Sequence, residues 1–111
     1  MSIVTEALAH AVGDFGDICV TGGGTRSELG LRLRAALTGR RLHIMKQQEA
    51  VCLGTAILAG FAVGEYQSIE QAVAGVVAEN NVVVPDQAMA ESYRDQMQEY
   101  KWLRTVAVQH A

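Results

Sequence analysis

The sequence predicts an α/β fold in which a short parallel sheet is flanked by helices. Two short apolar runs, at 18–21 and 41–45, have the length and composition of buried strands. The segment between them places apolar residues at helical spacing, and strands joined by a helix favour a parallel pair. A length of 111 residues is that of one domain. Half of the residues are hydrophobic, which argues against a disordered chain.

Helices and strands are expected to alternate through the first half of the chain, and helices dominate the second half. Each assignment depends on the spacing of apolar residues, every three to four positions for helices and in short continuous runs for strands. The predicted elements are a helix at 3–12, a strand at 18–21, a helix at 27–37, a strand at 41–45, a helix at 49–63, a helix at 68–77, an extended run at 82–84 and one uninterrupted helix at 86–106.

Glycine and serine residues mark where several of these helices begin and end. Ser2 is in position to cap the first helix, and Gly13 to end it. Gly39 and Gly64 predict the ends of the second and third helices, because helices commonly finish on a glycine in the left-handed conformation. Ser68 is followed by a glutamine three residues later, which predicts a capping box at the start of the fourth helix.

The third helix, at 49–63, is apolar nearly all round and is therefore predicted to be buried on most sides. A domain of this size has little interior in which to bury a whole helix. We therefore expect the chain either to self-associate or to pack against a partner segment. Cys19 and Cys52 lie in apolar runs without a CxxC pair, so we expect buried free thiols rather than a disulfide framework or a zinc site.

Charge and hydropathy limit the partners and location that the chain can have. The net charge of -3 is too small to indicate a partner, and the basic residues between 26 and 46 are better explained as a solvated face than as a nucleic-acid surface. The longest apolar stretch, 50–64, is shorter than the roughly 20 residues that span a bilayer. The beginning of the sequence lacks the basic region of an export signal. We expect a cytoplasmic protein that binds neither nucleic acid nor membranes.

The main chemical feature is a glycine-rich turn between the first strand and the second helix. Gly22, Gly23 and Gly24 allow close approach of a ligand to the backbone, and Ser27 adds a hydroxyl near the helix start. Free N–H groups and the helix dipole make a nucleotide or phosphate site plausible there. A plain tight turn, capped by Ser27 or Thr25, explains the spacing equally well. The spacing matches neither GxxxxGK[ST] nor GxGxxG.

Three segments extend this observation over nearly the whole chain. The run ICVTGGGTRSELGLRLRAALTGRRLHI at 18–44 resembles the adenosine motif of FGGY carbohydrate kinases such as xylulokinases. The run EAVCLGTAILAGFAVGEYQSIEQAV at 49–73 is similar to the glutamate, the Gly-Ala-rich buried helix and the Gly-x-Tyr of that family. The run VVVPDQAMAESYRDQMQEYKWL at 82–103 resembles its terminal proline and spaced tyrosines. Three segments in the right order are far more specific than the glycines alone.

The resemblance implies an actin-like, ribonuclease-H-like ATPase fold of two domains, with ATP and Mg²⁺ in the cleft between them. Residues 1–111 then represent an incomplete C-terminal domain segment without the N-terminal domain. Carried over by position, Gly23 and Gly24 lie against the ribose and α-phosphate side of the nucleotide, Ser27 approaches the adenosine, and Gly22 serves the turn. The expected partners are ATP and either the rest of the kinase or a second copy of the chain.

Other positions are implied to be structural, and some depart from the family. Glu49, Gly54 and Thr55 match the entry of the buried helix, which packs behind the nucleotide site in the family. The helix after the glycine turn often carries Trp, Gln and Ala-Asp in the family, and this sequence differs there. The positions that differ are Gly30, Arg32, Ala35 and Ala36.

The catalytic parts that the resemblance implies are not found in these residues. Asp14 opens the only Asp-x-Gly, and no threonine follows it as in the family's DxGT-type phosphate loop. The general-base aspartate and the sugar contacts belong to the family's other domain. Phosphoryl transfer requires nucleotide, metal and acceptor to be held in line. We therefore assign no catalytic residue and no metal ligand, and expect sugar binding only through the missing N-terminal domain.

Three functions remain open from the sequence. The first is a nucleotide-binding C-terminal part of a carbohydrate kinase that is inactive alone. The second is a non-catalytic interaction module derived from this fold that dimerises through its apolar helix. The third is an unrelated small α/β regulatory protein in which the glycine turn is coincidental.

Overall fold

The computed structural model describes residues 3–109, so the predicted cap at Ser2 lies outside the described residues. The first six predicted elements are confirmed to within one residue at each end. The elements are α1 (Ile3–Val12), β1 (Ile18–Val20), a 3-10 turn (Gly23–Arg26), α2 (Glu28–Thr38), β2 (Leu42–Met45), α3 (Ala50–Ala62), α4 (Ile69–Val76), β3 (Glu79–Val83), α5 (Gln87–Ser92) and α6 (Arg94–Gln109).

The strands form one sheet in the order β1-β2-β3. β1 and β2 are parallel, with Ile18 opposite Leu42, so the predicted parallel pair is confirmed. β3 runs antiparallel to β2 and begins at Glu79, three residues before the predicted extended run. A β-bulge interrupts the β2–β3 register between Ile44 and Met45.

The core of the domain lies between α2 and one face of the sheet. Leu31 and Ala35 are four residues apart and therefore lie on the same face of α2. Leu42 and Ile44 alternate along β2, so their side chains point to the same side of the sheet. These four side chains form the buried cluster, in which Ala35 is 0% exposed and Leu42 is 2% exposed. Partly buried side chains complete it: Ile18, Val20 and Val83.

Residues at the helix ends act as the sequence predicts. Gly13, Gly39 and Gly64 all have positive φ, and the Gly39 value is 67°. A residue with a Cβ is strained in this conformation, which is why glycine ends the helix there. The Ser68 Oγ accepts a hydrogen bond of 3.1 Å from the backbone N–H of Gln71, as the predicted capping box requires.

The prediction of one uninterrupted helix at the end of the chain is wrong. α5 and α6 are separated at Tyr93, whose φ and ψ are −101° and 4°. The hydroxyl of Ser92 donates a 2.8 Å hydrogen bond to the Met89 carbonyl, which the Tyr93 N–H reaches only at 3.3 Å. Serine bonding back to a carbonyl of the preceding turn competes with the helical bond and bends helices. The break therefore has a local cause that hydrophobic spacing does not reveal.

α3 is not buried as predicted. Ile57 is its one buried residue, whereas Val51 is 84% exposed and Val63, directly after the helix, is 82% exposed. α3 packs mainly on α4, and this packing leaves these valine side chains exposed. The expectation of buried thiols is also wrong, since Cys19 and Cys52 are both exposed. Although α3 is apolar, no helix in residues 3–109 is long and apolar enough to cross a membrane.

The chain is more open than a self-sufficient domain of its length. Its radius of gyration is 17.9 Å, whereas about 13 Å is typical for 111 residues. It exposes 7919 Å² of surface, whereas a compact monomer of this size exposes roughly 5,900 Å². The difference is comparable with the area buried in stable protein–protein interfaces. The expected self-association or partner packing thus has a surface available for it.

We predict that Gly39→Ala lowers the free energy of unfolding by about 1 kcal/mol, because alanine is strained at positive φ. Chemical denaturation followed by circular dichroism measures the change. The matched control is Gly75→Ala, since Gly75 lies inside α4 and a Cβ there meets no atom within 4 Å. Alanine is the better helix former, so the control is expected to be more stable than the original chain. Equal destabilisation by both substitutions would contradict the assigned cap.

Candidate functional site

The glycine turn lies where the two parallel strands end. β1 and β2 have their carboxyl ends at the same edge of the sheet, and open α/β sheets commonly bind ligands at this edge. The loops that follow the two strands are joined there by side chains. Thr21 Oγ1 donates a 2.6 Å hydrogen bond to the Gln47 carbonyl, and Arg26 Nε donates a 3.2 Å bond to Gln48 Oε1. The edge is therefore a connected surface rather than two separate loops.

The first glycine sets the direction of the turn. Gly22 has φ 88° and ψ −174°, which residues with a Cβ rarely adopt. Its carbonyl accepts bonds from both the N–H and the hydroxyl of Thr25, at 3.1 and 2.8 Å. These bonds close the 3-10 turn that follows β1.

The next two glycines differ in how open they are. A Cβ added at Gly23 would meet no atom within 4 Å, so the backbone there is accessible to a ligand. A Cβ added at Gly24 would lie 3.0 Å from Arg34 Nη1, which donates a 3.2 Å hydrogen bond to the Gly24 carbonyl. Arg34 therefore ties the end of the turn to α2.

Ser27 acts as the N-cap of α2. Its Oγ accepts a 3.1 Å hydrogen bond from the Gly30 N–H. The capping interpretation of Ser27 is thus what the structure shows. A serine hydroxyl that accepts one hydrogen bond still has a hydrogen to donate, so the cap leaves a donor beside the turn.

Two cavities lie on either side of the turn, and none of Gly22, Gly23, Gly24 and Ser27 lines either of them. The first, of about 190 Å³, is mainly apolar and lies beneath α3. The second, of about 470 Å³, lies between the turn, α2 and β3, and we call it the α2–β3 cavity. The lining of the first includes Met45, Leu53, Gly54, Ile57 and Val77. The lining of the second includes Arg26, Glu28, Arg32, Asn80 and Asn81.

The positions expected to be structural lie around the start of α3. Glu49 precedes α3 without a side-chain cap bond, and Thr55 Oγ1 donates a 3.0 Å bond to the Val51 carbonyl within the helix. No cluster of three or more His, Cys, Asp or Glu residues within the described part of the chain is arranged to hold a metal ion.

The structure also contains an ionic network on the sheet that sequence reasoning missed. His43 of β2 lies between two carboxylates, with Nε2 3.0 Å from Asp17 Oδ2 and Nδ1 bonded to Glu79. Arg41 also bonds Asp17, at 2.7 Å. The bond to Asp17, followed by the bond to Glu79, raises the pKa of His43 above its ordinary value of 6.5. The same bond from His43, followed by Arg41, lowers the pKa of Asp17 below 3.8.

The glycine turn lies in the part of the chain that matches a known protein family. A model of the C-terminal domain of the FGGY family of carbohydrate kinases matches residues 1–63, which include the glycine turn. A probable L-xylulose kinase of Pasteurella multocida is 36% identical over 78% of this chain and 17% of its own length. An autoinducer-2 kinase of Escherichia coli is 30% identical over 85% of this chain and 19% of its own length.

Solved structures share the fold of this chain. The ligand-bound xylulose kinase of Lactobacillus acidophilus superposes with a TM-score of 0.75 and 21% identity, covering 95% of this chain and 22% of that chain. The predicted partial actin-like fold is thereby confirmed, and an unrelated regulatory fold is excluded. The chain spans about a fifth of the length of the curated relatives that it matches.

We predict that the ionic network makes stability depend on pH. Because the pKa of His43 is raised on folding, its contribution is fully present below pH 6.5 and is lost as pH rises through the raised value. Thermal melting between pH 5.5 and 9 should show a decline over that window. His43→Gln should remove this decline, whereas His10→Gln, on the exposed surface of α1, should leave it unchanged. A decline that persists in His43→Gln would show that another group is responsible.

Proposed function

Because the chain belongs to the FGGY family of carbohydrate kinases, we propose that it is the nucleotide-binding part of an enzyme that transfers a phosphoryl group from ATP to a sugar hydroxyl. The observation that carries this proposal is the glycine turn at the carboxyl edge of the parallel strands, within the residues that match the family. Residues 1–111 form a segment of the C-terminal domain, and the N-terminal domain completes the enzyme.

The nucleotide binds over the turn with its phosphates toward the glycines. The openness of Gly23 supports this placement, because phosphate oxygens can approach the backbone there without meeting a side chain. Gly24, held by Arg34, lies against the ribose and α-phosphate side of the nucleotide. Gly22 supplies the conformation that the turn requires.

Ser27 has two roles in this proposal. Its oxygen accepts the capping bond from Gly30, which holds the start of α2 in place. Its remaining hydrogen is donated to the nucleotide at the adenosine side. The helix dipole adds a partial positive charge at the same end of α2, which favours an anionic ligand.

Mg²⁺ binds together with ATP in this proposal, through the phosphate oxygens. Mg²⁺ commonly keeps several waters and is held by one or two carboxylates together with substrate phosphates. We assign none of the described residues as a ligand, because no group of three or more His, Cys, Asp or Glu among them is arranged to hold an ion. The carboxylates and the general base are supplied by the other domain.

The exposed apolar surface supports assembly with the rest of the kinase. β1 lies at one edge of the described sheet and pairs in parallel with β2. Parallel sheets are normally covered on both faces, and α2 covers one face of this sheet. α3 and the residue that follows it add exposed Val51, Leu58 and Val63. An N-terminal domain that covers these surfaces would close the sheet and place the acceptor sugar opposite the glycine turn.

The alternative function is a non-catalytic module that dimerises through the same apolar helix. The exposure of α3 supports this function equally, because a second copy would also bury that face. The two proposals differ in whether the glycine turn still binds nucleotide, so a binding measurement separates them.

We predict that the purified chain binds Mg-ATP saturably in a calorimetric titration and that Gly23→Val abolishes the binding. A Cβ at Gly23 meets no atom within 4 Å, so we expect valine to block the ligand and to leave the fold intact. The matched control is Gly16→Val, because Gly16 is equally open but lies in the loop before β1. The control should bind as the original chain does. Absence of ATP binding in a folded dimer would favour the interaction module.

We also predict that the chain alone does not phosphorylate sugars. A coupled assay of ADP release, run with Mg-ATP and xylulose or L-xylulose, should give the rate measured without protein. The physical reason is that one wall of the site cannot hold nucleotide, metal and acceptor in line. Turnover that disappears in Gly23→Val would contradict the proposal that this segment is incomplete.

A further inference from the structure

The α2–β3 cavity adjoins the glycine turn, and five of its eleven lining residues, 80–84, lie after the part of the chain that matches the family model. Its volume of about 470 Å³ lies in the range of roughly 300–1,000 Å³ that is typical of small-molecule sites. Thr25 and Arg26 line the side next to the turn, and residues 80–84 of β3 and its C-terminal extension line the opposite side. A ligand seated on the turn can therefore extend into the cavity.

The β-bulge brings two asparagines to this cavity. Asn81 is opposite Ile44, and Glu79 is opposite Met45, so Asn80 is the extra residue of the bulge. Bulges are often found next to functional sites, where they redirect a side chain. Asparagine is depleted in strands, so two in succession at the start of β3 are not explained by strand stability.

Both asparagine side chains have amide groups that are available to bind a ligand. Asn81 Oδ1 accepts a 2.8 Å bond from the Val82 N–H, which leaves its amide hydrogens available. Asn80 makes no side-chain hydrogen bond to any residue in 3–109 and is exposed. An amide presents a donor beside an acceptor, which is the pattern that matches N6 and N7 of adenine.

The charged groups of the cavity can contact the base and the ribose of a nucleoside. Arg26 and Arg32 are cationic, but Arg26 is bonded to Gln48 and Arg32 lies 3.5 Å from Asp86. Glu28 adds a carboxylate, which would repel phosphates and can accept hydrogen bonds from ribose hydroxyls. The planar guanidinium groups remain able to stack on a base.

We propose that Asn80 and Asn81 are specificity-determining residues that bind the adenine base in the α2–β3 cavity. This inference rests on the proposed function, since it requires a nucleotide on the glycine turn. Guanine presents two acceptors at N7 and O6, so an asparagine amide satisfies only part of that edge. The cavity thus prefers ATP to GTP.

The first test measures dissociation constants for Mg-ATP, Mg-GTP and Mg-tripolyphosphate by NMR titration of the full chain. The original chain should bind ATP about tenfold more tightly than GTP. Asn80→Ala and the double variant Asn80→Ala/Asn81→Ala should lose this preference and keep their affinity for tripolyphosphate. Gln98→Ala, which removes an amide from α6, should retain the preference.

Each other outcome overturns the inference in a distinguishable way. A preference for ATP that persists in the double variant means that the base is read elsewhere, and the proposed function stands. Equal affinity for ATP, GTP and tripolyphosphate means that the chain binds the phosphate groups and that the base contributes nothing to the affinity. Failure of all three ligands to bind overturns the inference together with the proposed function.

A second measurement does not depend on the folding of any variant. Irradiation of the original chain with 8-azido-ATP, followed by mass spectrometry of the fragments, should label residues 80–84, and excess ATP should suppress the label. Suppressible labelling confined to other parts of the chain would overturn the inference while supporting nucleotide binding.

Discussion

Leu31 and Ala35 of α2 pack against Leu42 and Ile44 of β2, and this contact positions every other part of the site. It holds α2 across the parallel pair, so the start of α2 must lie at the carboxyl edge of the strands. The glycine turn is the short connection between β1 and that helix start. Its position therefore follows from the packing beneath it, with Gly22 supplying the one backbone conformation that the sharp exit from β1 demands.

The same contact covers only one face of a small sheet, and this accounts for the exposed apolar surface. α3 extends from the site edge with one buried residue, although almost every side chain along it is apolar. A polar network around His43 occupies the surface of the strands instead of a second hydrophobic layer. The described residues are therefore well packed where α2 covers the sheet and exposed along α3.

Sequence patterns predict the elements whose causes are local. Gly39 and Ser68 predict helix ends because cap geometry involves only neighbouring residues. The full length of β3 escapes prediction because Asn80 and Asn81 have low strand propensity and pair only through the long-range contact with β2. The carboxylate partners of His43 are 26 and 36 residues away in sequence, so only the register of the folded sheet reveals them. The glycine turn is predictable as a candidate site, but spacing alone cannot separate a ligand site from a capped turn.

Nucleotide binding at the glycine turn can be tested by an amide chemical-shift map of the isotope-labelled chain during titration with Mg-ATP. If the turn binds nucleotide, the amides of residues 22–27 should shift saturably and the amides of α6 should be unaffected. The chain must remain folded, which the spectrum itself reports. Saturable shifts confined to α3 or α6, or no shifts at 22–27 at millimolar ATP, would contradict the claim that this segment is the nucleotide-binding wall of a carbohydrate kinase.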